Sequence, residues 1–243
     1  QSYILINESK NNTCALKKWS APFDGQDILV SDALWSDFDG DHDLDLFVVG
    51  DYTGISIFEN QNGNLIYDKS QDLNQLKGFW NTISGADLDG DGDTDYVVGN
   101  FGLNNVLRPS NERPFRVYAK DFDNNESYDF IPTTYFLNPK QKWEETPYHV
   151  KGDLIKEMNS YRKQFLYYRD YALAPLTKII NPNMMKNALI KEVNTFSSVI
   201  LINDGNKKFT VKDLPKEAQM SPVFGIVPDD FDQDGNTDLL FQG

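Results

Sequence analysis

The stretch FWNTISGADLDGDGDTDYVVGN (79–100) carries the pattern on which the reading of this chain turns. At its centre Asp87, Asp89, Asp91, Asp93 and Asp95 fill positions 1, 3, 5, 7 and 9 of a nine-residue window, with Gly92 at position 6. So many carboxylates in one tight turn repel one another, and a divalent cation reverses the sign of that interaction. Hard cations such as calcium take six to eight oxygens at about 2.3–2.6 Å, which alternate side chains plus a backbone carbonyl can supply. Directly downstream, Tyr96-Val97-Val98-Gly99 is apolar and β-prone. The expected unit is a strand, a cation loop and a second strand in immediate succession.

Three more windows repeat the grammar: DFDGDHDLD (37–45), DFDNNESYD (121–129) and DFDQDGNTD (230–238). The candidate ligands in the first are Asp37, Asp39, Asp41, Asp43 and Asp45, and in the second Asp87, Asp89, Asp91, Asp93 and Asp95. In the third they are Asp121, Asp123, Asn125, Ser127 and Asp129, and in the fourth Asp230, Asp232, Asp234, Asn236 and Asp238. Position 7 is expected to contribute its backbone carbonyl and the others their side chains. A single Asp-Gly run is usually a solvated turn. Four copies with one spacing and similar flanking strands are not explained that way. Their flanks also distinguish them from EF-hand loops, which close on a Glu at position 12 between helices. Here position 9 runs into Leu46-Phe47-Val48-Val49-Gly50 or Leu239-Leu240-Phe241, and Ile28-Leu29-Val30 or Phe224-Gly225-Ile226-Val227 leads in.

The loops differ at position 6, where a left-handed backbone favours glycine. Gly92 and Gly235 meet this; His42 and Glu126 depart from it, histidine tolerating the region better than most residues. The third loop, with Asn125 at position 5, has one fewer inner carboxylate and is expected to be the weakest site. His42 is read as a loop-tip side chain, since imidazole suits softer metals.

The loops start at 37, 87, 121 and 230, and hairpins recurring every 40–50 residues are the mark of a β-propeller of four-stranded blades. After the first loop, Gly54 to Asn60 leads through Gln61-Asn62-Gly63-Asn64 into Leu65-Ile66-Tyr67, a hairpin signal. Val199 to Asn203, Asp204-Gly205 and Lys208 to Val211 repeat that signal. The pieces 79–100 and PVFGIVPDDFDQDGNTDLLFQG (222–243) resemble FG-GAP/VCBS-type repeats, also found in integrin α-subunit propellers. Phe224-Gly225 supplies the FG pair, and Gly99 or Gly243 the glycine after the second strand. The resemblance covers most of the chain outside about 140–195. It implies an all-β propeller fold and calcium (Ca2+) held by the loop residues named above. Such propellers commonly have about seven blades. Four loops therefore fit either a slice of a longer propeller, the favoured reading, or a small ring in which Ser2 to Asn7 completes the last blade.

One break in the β pattern is expected between loops three and four. Leu154, Met158, Tyr161, Phe165 and Tyr168 follow helical spacing across 153–170, with Asp153 as N-cap. Further short helices are expected at 172–180 and 183–192. The domain reading is one propeller, or propeller segment, over 1–243. A helical insertion at 150–192 is placed within blade three, between its second and third strands.

The net charge of −14, from 37 acidic and 23 basic residues, argues against a nucleic-acid partner. The four windows hold 18 of those acids and no Lys or Arg, so the rest of the chain is formally +4. The acidity is local, and it measures cation capacity. No apolar run approaches the roughly 18 residues of a membrane span, and Cys14 is the sole cysteine. Any secretion signal is expected to lie outside this sequence. The two histidines, His42 and His149, sit in no nucleophile elbow, P-loop or zinc motif. Among the tryptophans, Trp35 and Trp80 read as core and Trp143 as exposed. Asn7-Glu8-Ser9 and Asn11-Asn12-Thr13 match glycosylation sequons. The functional expectation is a non-catalytic, calcium-binding extracellular or cell-surface module for protein or glycan recognition and adhesion. The alternative is a carbohydrate-active lyase or hydrolase on the same scaffold.

Overall fold

The computed structural model describes residues 3–10, 13–19, 28–158, 161–162, 164–165 and 167–243. Ser2 of the expected first strand and Asn11-Asn12 of the second sequon lie outside them. The chain forms two compact units, one of residues 1–105 with 196–243 and the other of 106–195. Both are built on antiparallel sheets, so the fold is all-β with a few short helices. Among the described residues no helix is long and apolar enough to cross a membrane.

In the first unit, β1 (Ile4–Asn7) and β2 (Leu16–Trp19) pair with each other. The N-terminal strand thus completes a local hairpin, and the ring-closing role in the last sheet falls away. The next sheet runs β3 (Leu29–Ser36), β4 (Asp45–Thr53), β5 (Ser56–Gln61), β6 (Asn64–Tyr67), with β7 (Gly78–Phe79) also on β4. The β5–β6 hairpin turns at Asn62 and Gly63, both at positive φ, the pairing a two-residue turn requires. A further sheet runs β8 (Thr82–Ala86), β9 (Asp95–Gly99), β14 (Val199–Asn203), β15 (Phe209–Asp213), and β16 (Gly225–Asp229) pairs with β17 (Asp238–Gln242).

These sheets stack face to face, and the apolar runs after the loops explain why. On β4, Phe47 and Val49 pack with Trp80, which lies between β7 and β8, and with Tyr96, Val98 and Leu201 of the next sheet, while Leu46 and Val48 turn to the opposite face with Phe58. On β9, Tyr96 and Val98 join the first cluster and Val97 faces Ile226 of β16. A strand covered on both faces needs no polar alternation, and it reads as a continuous apolar run. The Phe47 and Tyr96 rings stack at 4.2 Å between centroids. Gly50 within β4 and Gly99 at the end of β9 lie where a Cβ would strike the backbone oxygens of Leu29 and Val223, so a side chain there would force neighbouring backbones apart. Trp80 is fully buried and donates its indole N–H to the Leu76 carbonyl at 3.0 Å, as a core tryptophan should. Trp35, expected in the core, is 44% exposed, because β3 is an edge strand and the indole lies on its exposed alternate positions.

β9 and β14 are adjacent strands although residues 100–198 separate them in sequence. The second unit is therefore an insertion within the second sheet. It holds β10 (Phe115–Lys120), β11 (Asp129–Leu137), β12 (Trp143–Pro147) and β13 (Leu189–Val193), ordered β12-β11-β10-β13. Helices α1 (Lys151–Glu157), α2 (Tyr168–Ala172) and α3 (Leu176–Ile179) connect its two edge strands. This corrects the expected site of the helical segment: it follows three strands of its sheet, not two, and strand 199–203 belongs with β9. It also corrects the helices themselves. The 153–170 helix is broken, α1 starts after Val150 with Asp153 in its first turn, and 189–193 is strand. The stripe still packs as drawn: Leu154, Met158 and Tyr161 are buried against Tyr118, Phe122 and Ile131, with Phe165 half-buried beside them. Tyr168 is exposed instead.

Candidate metal centres

Each acidic window joins the first two strands of a hairpin: β3 to β4, β8 to β9, β10 to β11 and β16 to β17. All four share one backbone scheme. The position-1 carboxylate accepts the position-6 N–H, with distances of 3.0 Å to Asp37, 3.1 Å to Asp87, 2.9 Å to Asp121 and 3.0 Å to Asp230. The position-5 side chain accepts the position-7 N–H in every loop, Asn125 serving as well as Asp41, Asp91 or Asp234. The position-9 carboxylate accepts the position-2 N–H, from Phe38, Leu88, Phe122 or Phe231 at 2.8–3.3 Å. This ties the far end of the loop to its beginning and turns the inner carboxylates toward one another.

The scheme needs two left-handed residues. Position 6 is one, at His42 (φ 74°), Gly92 (φ 93°), Glu126 (φ 68°) and Gly235 (φ 92°). Position 4 is the other, at Gly40 (φ 75°), Gly90 (φ 80°), Asn124 (φ 58°) and Gln233 (φ 63°). Where no glycine is present the loop keeps its shape at a conformational cost. The His42 side chain is 95% exposed, as a tip position requires, with its Nδ1 3.8 Å from Asp37 Oδ2.

The geometry gathers part of each expected ligand set. Oxygens of Asp37, Asp39 and Asp41 lie within 4.8 Å of one another, as do those of Asp230, Asp232 and Asp234. In the other two loops position 9 replaces position 5: Asp87, Asp89 and Asp95, and Asp121, Asp123 and Asp129. Asp43, Asp45, Asp91, Asp93 and Asp238 stand outside these closest groups of carboxylates. The donor set is wholly oxygen, which suits a hard cation. Asp43 Oδ1 and Asp123 Oδ1 are buried without a hydrogen-bond partner. Buried, unpartnered carboxylate oxygens are costly unless a cation meets them. The residues present therefore fit a bound divalent ion.

Electrostatics agrees. Burial, reinforced by Asp39 and Asp41, pushes the Asp45 carboxyl up to about 6 against hydrogen bonds from Asn60 and Phe38 that pull it down. Asp43 is raised by burial and then by Asp41, Asp39, Asp37 and Glu59, and Asp89 by burial and then chiefly by Asp91 and Asp95. In the fourth loop Asp234 is lowered, because the Asn236 backbone and side-chain amides donate to it.

Two asparagines escaped the sequence reading. Asn60 donates its N–H to Asp45 Oδ1 at 2.8 Å and its side-chain amide to the Leu44 carbonyl at 3.1 Å. Asn203 does the same for the second loop, to Asp95 Oδ1 at 2.8 Å and the Thr94 carbonyl at 3.3 Å. Each then caps its own hairpin, accepting from Gly63 or Gly205. The signal was present: both stand at or one residue before the end of the third strand of their sheet, in Ile57-Phe58-Glu59-Asn60 and Leu201-Ile202-Asn203. Asn203 also donates to the Phe38 carbonyl at 2.9 Å, linking the second sheet to the first loop.

Beyond the loops, Glu145 collects hydroxyl donors from Thr133 (2.7 Å) and Tyr118 (3.1 Å) and pairs with Arg116 at 3.4 Å, which also holds Glu192 at 3.2 Å. Its lone pairs are committed to joining the strands of that sheet. Trp143, on edge strand β12, is half exposed with the Arg113 guanidinium 4.1 Å from its ring centroid, where the sequence reading put an exposed aromatic.

No curated protein matches the chain. Residues 37–98, spanning the first two acidic loops and the sheet between them, match the family model described as the FG-GAP-like repeat.

Proposed function

We propose that the chain is a calcium-stabilised, non-catalytic recognition module of the β-propeller type, working outside the cell or at its surface. The observation that carries the reading is the shared loop: four acidic windows, two of them within the FG-GAP-like match, fold to one hydrogen-bonding scheme and converge their carboxylates. FG-GAP-like repeats often bind calcium. The face-to-face stacking of the hairpin sheets in the first unit is the arrangement neighbouring blades adopt. An extracellular setting suits such loops, because sites with Kd of roughly 10⁻⁴–10⁻³ M fill at the calcium levels found there. When bound, calcium staples the two strands of each hairpin and cancels the repulsion among the aspartates.

The partner is a protein or a glycan, met by surfaces such as the exposed Trp143 and Phe136. The enzyme reading draws no support from Glu145, whose oxygens are taken up by Thr133, Tyr118 and Arg116. The test has two arms. Calorimetric titration should show calcium binding to the apo chain, and glycan and protein arrays should yield binding without released product. Product release from a polysaccharide would establish the enzyme instead.

A further inference from the structure

The hairpin between β14 and β15 places Lys207 against the first acidic loop. Its ammonium forms an ion pair with Asp39 Oδ2 and another with Glu59 Oε1 at 3.1 Å. The arrangement is built: the Lys207 backbone is left-handed (φ 57°), and the Gln71 side-chain amide donates to its carbonyl. The Asp39 side chain is fully buried, whereas the Lys207 side chain is half exposed. Asp39 is also one of the three carboxylates that converge in this loop. The Asp39 carboxylate thus faces two suitors, the lysine within the protein and a cation from solvent.

Resting on the calcium reading above, we propose that Lys207 is a built-in competitor for the first loop: calcium enters by displacing its ammonium from Asp39, which weakens that site and frees the β14–β15 hairpin from it. The physical basis is direct. A cation entering beside a fixed ammonium meets like-charge repulsion, and the ammonium competes with it for the Asp39 carboxylate. Counted by carboxylates alone, the first and second loops are equals, each with five aspartates. Lys207 separates them. Losing one charge-assisted hydrogen bond corresponds to roughly a ten- to hundredfold change in Kd.

The test is calcium titration of the full chain by calorimetry, for the wild type, Lys207→Met, Lys207→Arg and the double variant Lys207→Met with Asp39→Asn. Lys207→Met should tighten one site ten- to hundredfold, Lys207→Arg should stay near wild type, and adding Asp39→Asn should abolish the gain. Amide exchange at residues 204–208 provides a second readout, rising on calcium addition in the wild type and already high in Lys207→Met. Calcium binding with unchanged affinity in Lys207→Met, or a weakened site, overturns this inference alone. Failure of wild type and every variant to bind calcium overturns the calcium reading and the inference with it.

Discussion

Asp95 offers the sharpest way to separate the mechanical role of a loop aspartate from its role as a ligand. Its carboxylate is fully buried and accepts two backbone N–H groups, from Leu88 at 2.9 Å and Asn203 at 2.8 Å. Truncation by Asp95→Ala leaves both donors without a partner. A buried donor so orphaned costs about 1–3 kcal/mol. Asn203 is 2% exposed and bears the full penalty, whereas Leu88 is half-buried and can recruit water. The expected loss is therefore about 2–4 kcal/mol even with no calcium present. The matched control is Asp238→Ala in the fourth loop. Asp238 accepts the exposed Phe231 N–H at 3.0 Å and is only partly buried, so about 1 kcal/mol or less is expected. Urea unfolding in excess EDTA, followed by the fluorescence of buried Trp80, reads the difference in the unit that contains both residues. With a slope of about 1–3 kcal/mol/M, Asp95→Ala should move the midpoint down by roughly 1–2 M. Equal shifts for the two variants would refute the claim that position 9 acts as a buried clasp.

Chelation should lower the melting temperature of the wild type, since calcium at a hundredfold excess over Kd adds about 2.7 kcal/mol per occupied site; a melt insensitive to EDTA would remove the cation argument. In EDTA, stability should depend on pH with a sign set by Asp45. Its folded carboxyl is raised to about 6 from 3.8, so the folded state binds more protons, and the associated stability is present below pH 4 and lost by pH 6. A shift of about two units corresponds to about 3 kcal/mol as an upper bound; urea midpoints that rise between pH 4 and 6 in EDTA would contradict it. In saturating calcium, Asp89→Ala should destabilise more than Asp123→Ala, because the third loop has one fewer inner carboxylate; scanning calorimetry showing the reverse order would overturn the ranking.

The loops were legible because their information is local. A nine-residue window fixes its own hydrogen bonds, so spacing alone located positions 1, 5 and 6, and the flanking apolar runs located the strands. Position 4 was missed because Asn124 and Gln233 take the left-handed conformation without the glycine that would have announced it. Connectivity was read less well, and for a reason. The strand 199–203 pairs with 96–98 across an inserted unit, and nothing in Val199-Ile200-Leu201-Ile202-Asn203 records which earlier strand it will meet. The expected long helix failed through chemistry the apolar stripe does not report. Leu154 and Met158 share a helical face, yet Met158 already leaves α1 in extended backbone (φ −130°, ψ 93°), so buried contacts along the stripe come from several short turns instead. Lys207 could not be foreseen at all, since its partner Asp39 lies on another hairpin.

The position-9 aspartate explains why a loop at the tip of a hairpin can govern the sheet behind it. With one oxygen it holds the start of its loop, and in the first two loops its other oxygen holds the third strand through Asn60 or Asn203. Cation binding at position 9 therefore fixes three strands rather than two. In the second loop Asp95 is also among the converging carboxylates, whereas in the first loop Asp45 stands apart from the group of Asp37, Asp39 and Asp41. The two loops are thus unequal in how directly an ion reaches the sheet. An ion in the second loop bears on the clasp itself, and an ion in the first acts through Asp39, the residue Lys207 holds. Asn203 connects the two by donating both to the Phe38 carbonyl beside Asp39 and to the clasp at Asp95. It follows that calcium in the second loop should stiffen the first through Asn203, and that Asn203→Ala should uncouple them while leaving every ligand in place.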